Sequence, residues 1–330
     1  MNEAKNKGLV KTKIRNFGII PPEKGAFTIE TPADIPKMHC MMMVSGKRGG
    51  GKSVAVSNFV RKLKDHSLMD RVLLITPTYN SNKQIWDIAE IDEMDVYEPE
   101  ITVLKDVINI VEAEKMEWDL FLNQKQQYKE FQRDIKRKPI TEIDEDLLLE
   151  YQDLGFFEGP PTWKYKKEVP PRLFLIIDDC MGTDLFKPRA KLINFCIKHR
   201  HIADGLGISV AMLVQSYCAI GGVPRPIREN TTLLLLFKCK DENQRKKIHE
   251  EIGADVDLDR FDQMYTYATE EPFSFLTVDF NPKVPDKTFR KQFDEYLNWV
   301  ILSLCIYIWE PAFCLTNLSW RRVQSFSQCL

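Results

Sequence analysis

Short apolar runs, separated by stretches with helical spacing, set the pattern of this 330-residue chain. The first run, Cys40-Met41-Met42-Met43-Val44-Ser45, has the length of a buried strand and leads directly into a glycine-rich segment. Behind that segment, residues 53–64 place Val56, Phe59, Val60 and Leu63 on one side, as a helix with one buried face does. A second run, residues 71–76, stops at Pro77 and is followed by the polar Thr78-Tyr79-Asn80-Ser81-Asn82. A third, residues 172–177, delivers Asp178-Asp179. A helix over 189–201, a strand over 207–215, a loop over 216–229, a strand over 231–238 and a helix over 241–252 complete the series. Strands alternating with helices predict an α/β fold: a central, mainly parallel sheet covered by helices on both faces.

The pattern changes between residues 100 and 169. Residues 103–138 are charged and helical in spacing, with Leu104, Val107, Ile108 and Val111 on one stripe, and Pro160 and Pro161 close the segment. These observations divide the chain into an N-terminal arm (1–37), a core in two pieces (38–99 and 170–280), a helical insertion (100–169), and a C-terminal helix with an apolar tail (281–330). The arm is punctuated by Pro21, Pro22, Pro32 and Pro36 and has room for one short strand at 26–29. The apolar run 299–309 meets Glu310-Pro311 and falls short of the roughly 20 residues of a membrane span, so no stable membrane insertion is expected. A peripheral packing helix or an interface segment is the expected role.

Composition adds limits. The chain is 44% hydrophobic and 28% charged, as ordinary globular proteins are, and its formal net charge is −2. No global basic field marks a nucleic-acid partner, so DNA contact requires a local patch or a ring of subunits. The eight cysteines form no CxxC pair and no zinc-finger spacing with the five histidines. Buried free thiols in an intracellular protein are the expected reading.

Chemistry concentrates in Gly46-Lys47-Arg48-Gly49-Gly50-Gly51-Lys52-Ser53, a phosphate-binding loop in its required context of strand, loop and helix. Consecutive backbone N–H groups in such a loop point into a concavity that fits phosphate oxygens, and the helix adds its positive end. Lys52 is expected on the β- and γ-phosphates of ATP, and the Ser53 hydroxyl on Mg²⁺. Asp178, at the C-terminal tip of a buried strand, is the second expected Mg²⁺ residue. Asp179 is either the base that polarises the attacking water or a helix N-cap or turn residue. Gln215, the polar tip of the next strand, either senses the γ-phosphate or bonds its own loop. Arg200, Arg225 and Arg228 are candidates for stabilising charge on the transferred phosphoryl, from this subunit or a neighbour, or else make surface salt bridges.

In its order of motifs the chain resembles the genome-packaging ATPases of large and medium double-stranded DNA viruses, within the FtsK–HerA superfamily of P-loop motors. The residues that carry the resemblance are the P-loop, Thr-Pro-Thr-Tyr-Asn-Ser-Asn, Ile-Ile-Asp-Asp-Cys, Lys-His-Arg-His, Val-Gln-Ser-Tyr and Pro-Arg-Pro-Ile-Arg-Glu-Asn-Thr, over residues 38–255. FtsK-type motors commonly carry glutamate where this chain has Asp179. The resemblance implies ATP hydrolysis coupled to translocation of double-stranded DNA into a preformed capsid. It further implies a homo-oligomeric ring, a hexamer, working with a capsid or vertex protein in the cytoplasm of an infected host cell or on the virion. A plasmid or transposon DNA translocase and a slow nucleotide-dependent switch or scaffold are the competing readings. The basic side chains Lys125, Lys129, Lys136, Arg137 and Lys138 of the insertion either reach DNA or a capsid protein or form a solvated helix face.

Overall fold

The computed structural model describes residues 27–298, apart from 188, 219–222, 240, 253–255 and 285–286. The arm before residue 27 and the apolar tail from residue 299 therefore lie outside the described residues. In chain order the elements are β1 (Met41–Ser45), α1 (Lys52–Asp65), β2 (Arg71–Ile75), α2 (Tyr79–Ile88), β3 (Val96–Tyr97), α3 (Val103–Arg137), α4 (Glu145–Asp153), β4 (Leu173–Asp178), α5 (Arg189–Lys198), β5 (Ser209–Val214), α6 (Arg225–Glu229), β6 (Leu233–Phe237), α7 (Glu242–Ile252), α8 (Leu258–Ala268), β7 (Phe275–Asp279), β8 (Phe289–Lys291) and β9 (Glu295–Tyr296).

The strands form one sheet in the order β3-β2-β4-β5-β1-β6-β7-β8-β9. The first six are parallel, and β7, β8 and β9 continue the sheet antiparallel. Central strands buried on both faces read as continuous apolar runs, and β1 shows why: all of its Met and Val side chains are fully buried. Alternation then sorts them. Met41 and Met43 join Leu175, Ile177, Val210 and Met212 beneath α3, α5, α7 and α8. Met42 and Val44 join Leu74, Ile176 and Ala211 beneath Val56, Phe59, Val60 and Leu63 of α1 and Trp86 of α2. The mainly parallel α/β sheet expected from the strand–helix alternation is the observed fold.

Helix α3, 35 residues long, starts on the core and leaves it. Its first turns bury Val103, Leu104, Val107 and Val111 in the main core. Its far end forms a separate small core, in which Phe131, Tyr151 and Phe156 pack together around α4. Glu114 anchors the middle. Its carboxylate is 1% exposed, accepts from Arg71 of β2 (2.9 Å) and from Tyr165 (2.9 Å), and lies 2.9 Å from the Lys164 ammonium.

Two expectations are corrected. Residues 27–29 form no strand; there Phe27 packs under the Lys115 ammonium. The polar stretch after Pro77, given no element by the sequence, is the first turn of α2, whose buried anchor, Trp86, comes late. Residues 289–296, placed in a C-terminal helix by the sequence, supply β8 and β9, because the edge of β7 takes up a hairpin. Among the described residues no helix is long and apolar enough to cross a membrane. Cys40, Cys180 and Cys196 are buried free thiols there.

Candidate functional site

The sheet's parallel half places the C-terminal ends of β1, β4 and β5 side by side, which is where open α/β sheets hold ligands. The loop after β1 turns tightly there. Gly46 N–H donates to the Val214 carbonyl at the end of β5 (3.1 Å), and a Cβ on Gly46 would stand 2.6 Å from Phe237 Cβ. Gly51, the N-cap of α1, has φ +94, a conformation that side chains rarely adopt. The first turn of α1 carries no acidic side chain, so its positive end is uncompensated by its own helix.

Lys52, the first residue of α1, folds back over this loop, donating to the carbonyls of Gly46 (2.9 Å) and Lys47 (3.2 Å). Burial lowers its pKa, while Asp178 and Asp179 pull it back up. Ser53 Oγ donates to Asp178 Oδ2 at 3.0 Å. Asp178 is 4% exposed, and burial lifts its carboxyl to about 6 against the Ser53 hydrogen bond and the Lys52 charge.

Asp179 is exposed and sits at φ +53. Aspartate is among the few residues that tolerate that region, and strain of this kind gathers at functional sites. Gln215 Nε2 donates to Asp179 Oδ1 at 3.0 Å. Behind the acid pair, the Cys180 thiol donates to the carbonyls of Ile75 (3.4 Å) and Asp178 (3.2 Å), and burial pushes its pKa up.

Gly51, Lys52, Ser53, Asp178, Asp179 and Gln215 line one cleft of about 870 Å³, together with Arg48, Gly49, Gly50, Asn58, Thr78, Ser81, Asn82 and, beyond Gly51, Phe273, Phe275, Gln292, Phe293 and Asp294. Gly46 and Lys47 border an adjoining pocket. The set suits a triphosphate with a divalent cation. Magnesium is commonly held by one or two carboxylates plus substrate phosphates and waters. Among the described residues no cluster of three or more His, Cys, Asp or Glu exists to cage an ion without them. Ser53 and Asp178 are the residues that would hold Mg²⁺, and Lys52 with the loop amides would hold the phosphates.

The arginines lie elsewhere. Arg200 and Arg228 line a groove with His199, Tyr217, Thr232 and Glu251, and no P-loop residue borders it. Arg228 is bound to Glu251 (2.7 and 2.9 Å), and Arg225 to Glu229 (2.8 Å). The reason is topological. Arg200 precedes β5 and Arg228 precedes β6, so in a parallel sheet they belong to the strands' N-terminal ends, roughly 15 Å from the P-loop end. The expectation that one of them reaches this subunit's own cleft is thereby corrected. Sequence reading missed Asn58, Thr78 and Asn82, and also the aromatic end around Phe273 and Phe293.

No protein-family model and no curated protein matches the chain. Its likenesses are structural and distant. The pCW3 conjugation coupling protein TcpA, with ATPγS, is 14% identical at a TM-score of 0.39, with 72% of this chain and 57% of TcpA covered. ATPases 2 and 3 of EssC from Geobacillus thermodenitrificans are 13% identical at 0.41, covering 74% of this chain and 38% of that one. B204, the DNA-packaging ATPase of Sulfolobus Turreted Icosahedral Virus, is 12% identical at 0.39, covering 74% and 95%. The chain thus spans little more than half of TcpA and well under half of the EssC chain.

Proposed function

We propose that this chain hydrolyses ATP with Mg²⁺ and uses the cycle to drive double-stranded viral DNA into a preformed capsid. The carrying observation is the set of three polar contacts gathered in the cleft. Lys52 closes the P-loop, Ser53 meets Asp178, and Gln215 meets Asp179. Lys52 and the loop amides bind the phosphates, Ser53 and Asp178 hold the cation, and Asp179 polarises the attacking water. Gln215 then reports the state of that acid to β5 and the segment beyond it.

The DNA-moving part of the reading is supported by the resemblance over residues 38–255. A ring of subunits agrees with two observations. A chain of net charge −2 needs several copies to present enough lysines to a duplex, and Arg200 and Arg228 lie away from their own cleft. In a hexamer such residues serve a neighbour's site. On this reading residues 38–99 and 170–280 are motor core, residues 100–169 are an insertion whose basic side chains contact DNA or a capsid or vertex protein or else form a solvated helix face, and the protein works in infected-cell cytoplasm or on the virion.

The test is ATP turnover by the assembled protein with and without duplex DNA, alongside its mass. Stimulation by duplex, lost in Lys52→Ala, is expected. Turnover unchanged in Lys52→Ala sinks the site, and turnover that no duplex stimulates favours a nucleotide-dependent switch over either packaging or a plasmid or transposon translocase.

A further inference from the structure

We infer that the aromatic end of the cleft, with Phe273 at its centre, is the seat of a purine base. This rests on the reading of the P-loop as a triphosphate site and extends it to the nucleoside.

Direction comes first. The groups suited to γ-phosphate chemistry, Asp178, Asp179 and Gln215, stand together on one side of the P-loop. A bound triphosphate with its γ end there must send its nucleoside out the other way. In the sheet β4 and β5 lie on one side of β1, and β6, β7 and β8 on the other, and the cleft's lining on that second side is Phe273, Phe275, Gln292, Phe293 and Asp294.

Phe273 sits against the phosphate cradle. A Cβ placed on Gly51 would meet its ring Cδ1 at 3.2 Å and its own Cβ at 3.3 Å. Even so, the side chain is 68% exposed, an unusual state for a phenylalanine. Its backbone has φ +64, which for a bulky residue is a strained outlier. A turn holds it there: Ser274 Oγ donates to the Glu271 carbonyl at 2.7 Å. Strain spent to keep an aromatic ring in solvent beside a phosphate loop fits a ring that awaits a partner face.

The surroundings are built for precision. Phe273 stands before a packed aromatic series in which Phe237–Phe275, Phe275–Phe293 and Phe293–Phe59 have centroids 4.8, 5.2 and 5.0 Å apart. That series ties the aromatic end to α1 and to the strand bordering Gly46. Gln292, at φ +52, is pinned through its N–H to the Phe275 carbonyl (2.8 Å). The Asp294 carboxylate, 3.9 Å from Lys62, is an acceptor on the rim for an exocyclic amino group. The larger face of a purine stacks better on such a ring than a pyrimidine does.

The experiment is equilibrium binding of ATP, UTP and inorganic tripolyphosphate to the full chain and to Phe273→Ala and Phe273→Trp. Expected is a loss of roughly tenfold or more in ATP affinity for Phe273→Ala, the size of a lost base stack, with tripolyphosphate unchanged within about twofold. Phe273→Trp should restore ATP binding, and the preference for ATP over UTP should vanish in the alanine variant. Equal losses of ATP and tripolyphosphate in Phe273→Ala, or no loss of either, overturn the base seat while leaving the phosphate site standing. If the unaltered chain binds neither ligand, the P-loop reading fails and the base seat falls with it.

Discussion

Gln215 Nε2 donates to Asp179 Oδ1 across 3.0 Å, joining the tip of β5 to the turn after β4. The two side chains are far apart in sequence and meet because β4 and β5 pair in parallel, with Asp178 opposite Leu213. A carboxylate held on one oxygen keeps the other for a water. Asp179→Asn preserves shape and the left-handed turn but removes the basic oxygen. It should lower kcat by roughly 10² to 10⁴, the usual worth of a positioned base, and leave ATP affinity nearly unchanged. Gln215→Leu leaves Asp179 charged but unheld and should cost less, about tenfold. Steady-state turnover and nucleotide binding measured side by side separate the two.

Asp178 gives a pH prediction. Burial lifts its carboxyl to about 6, so it is largely ionised at pH 7 and protonated below 6. A protonated carboxyl is a poor partner for a cation, so turnover should fall on the acid side, and excess Mg²⁺, which favours the carboxylate, should shift that limb to lower pH. The Ser53 hydroxyl holds that value down, so Ser53→Ala should move the acid limb upward and also weaken turnover. The stability sign is opposite. A carboxyl raised in the folded state stabilises fully below its ordinary value near 3.8, and that stability is lost as pH rises through 6. Asp178→Asn should therefore raise stability at pH 7 while turnover disappears. A urea midpoint that drops would show that Asp178 is a structural ion-pair member.

The P-loop could be read from sequence because its whole mechanism lies in eight consecutive residues between a strand and a helix. Asp178 and Gln215 were readable as polar tips of apolar runs. Their contacts were not, because those depend on which strands become neighbours. Arg200 and Arg228 are near core strands in sequence, but nearness to a strand does not say which end; both precede their strands and so lie away from the C-terminal ends. Phe273 and Phe293 carried no pattern. They sit at the borders of the five-residue β7 and three-residue β8, too short to show a period, and they reach the cleft only through the antiparallel pairing of those strands, which brings Phe273 against Gly51.

Glu114 predicts how the insertion is attached. Its buried carboxylate faces Arg71, Lys164 and Tyr165, and Arg71 also holds Asp95 at 2.7 Å. Removing one partner of a fully buried ion pair costs about 3–5 kcal/mol. Arg71 and Lys164 are 30% and 35% exposed, and Arg71 keeps Asp95, so Glu114→Ala should cost less, about 2 kcal/mol. The loss should be local. Hydrogen exchange should quicken in the middle of α3 and around residues 164–165, while β1 and β5 stay protected. Uniform loosening of the central strands would show that α3 is integral to the core.

His199 should make the fold sensitive to acid, together with His39, whose pKa burial lowers to about 4. It is 3% exposed, and its Nδ1 lies 2.9 Å from the Cys196 carbonyl. Burial, with the positive charges of His39, Arg200 and His201 adding to it, lowers its pKa to about 3. The folded chain therefore keeps the ring neutral through a range in which the unfolded chain protonates it. Between the ordinary value of 6.5 and about 3 the unfolded state binds one more proton, so its contribution to stability is present above 6.5 and is lost as pH falls. The loss amounts to about 1.4 kcal/mol per pH unit once the unfolded ring is fully charged. Unlike Asp178, this group weakens the protein as acid is added, and its lower folded value spreads the effect over a wider range. His199→Gln keeps a polar group near Cys196 but removes the titration. It should lower the urea midpoint at pH 7 and flatten the decline between pH 6.5 and 5 by about one proton relative to the unaltered chain. Parallel declines in the two proteins would place the acid sensitivity in other groups.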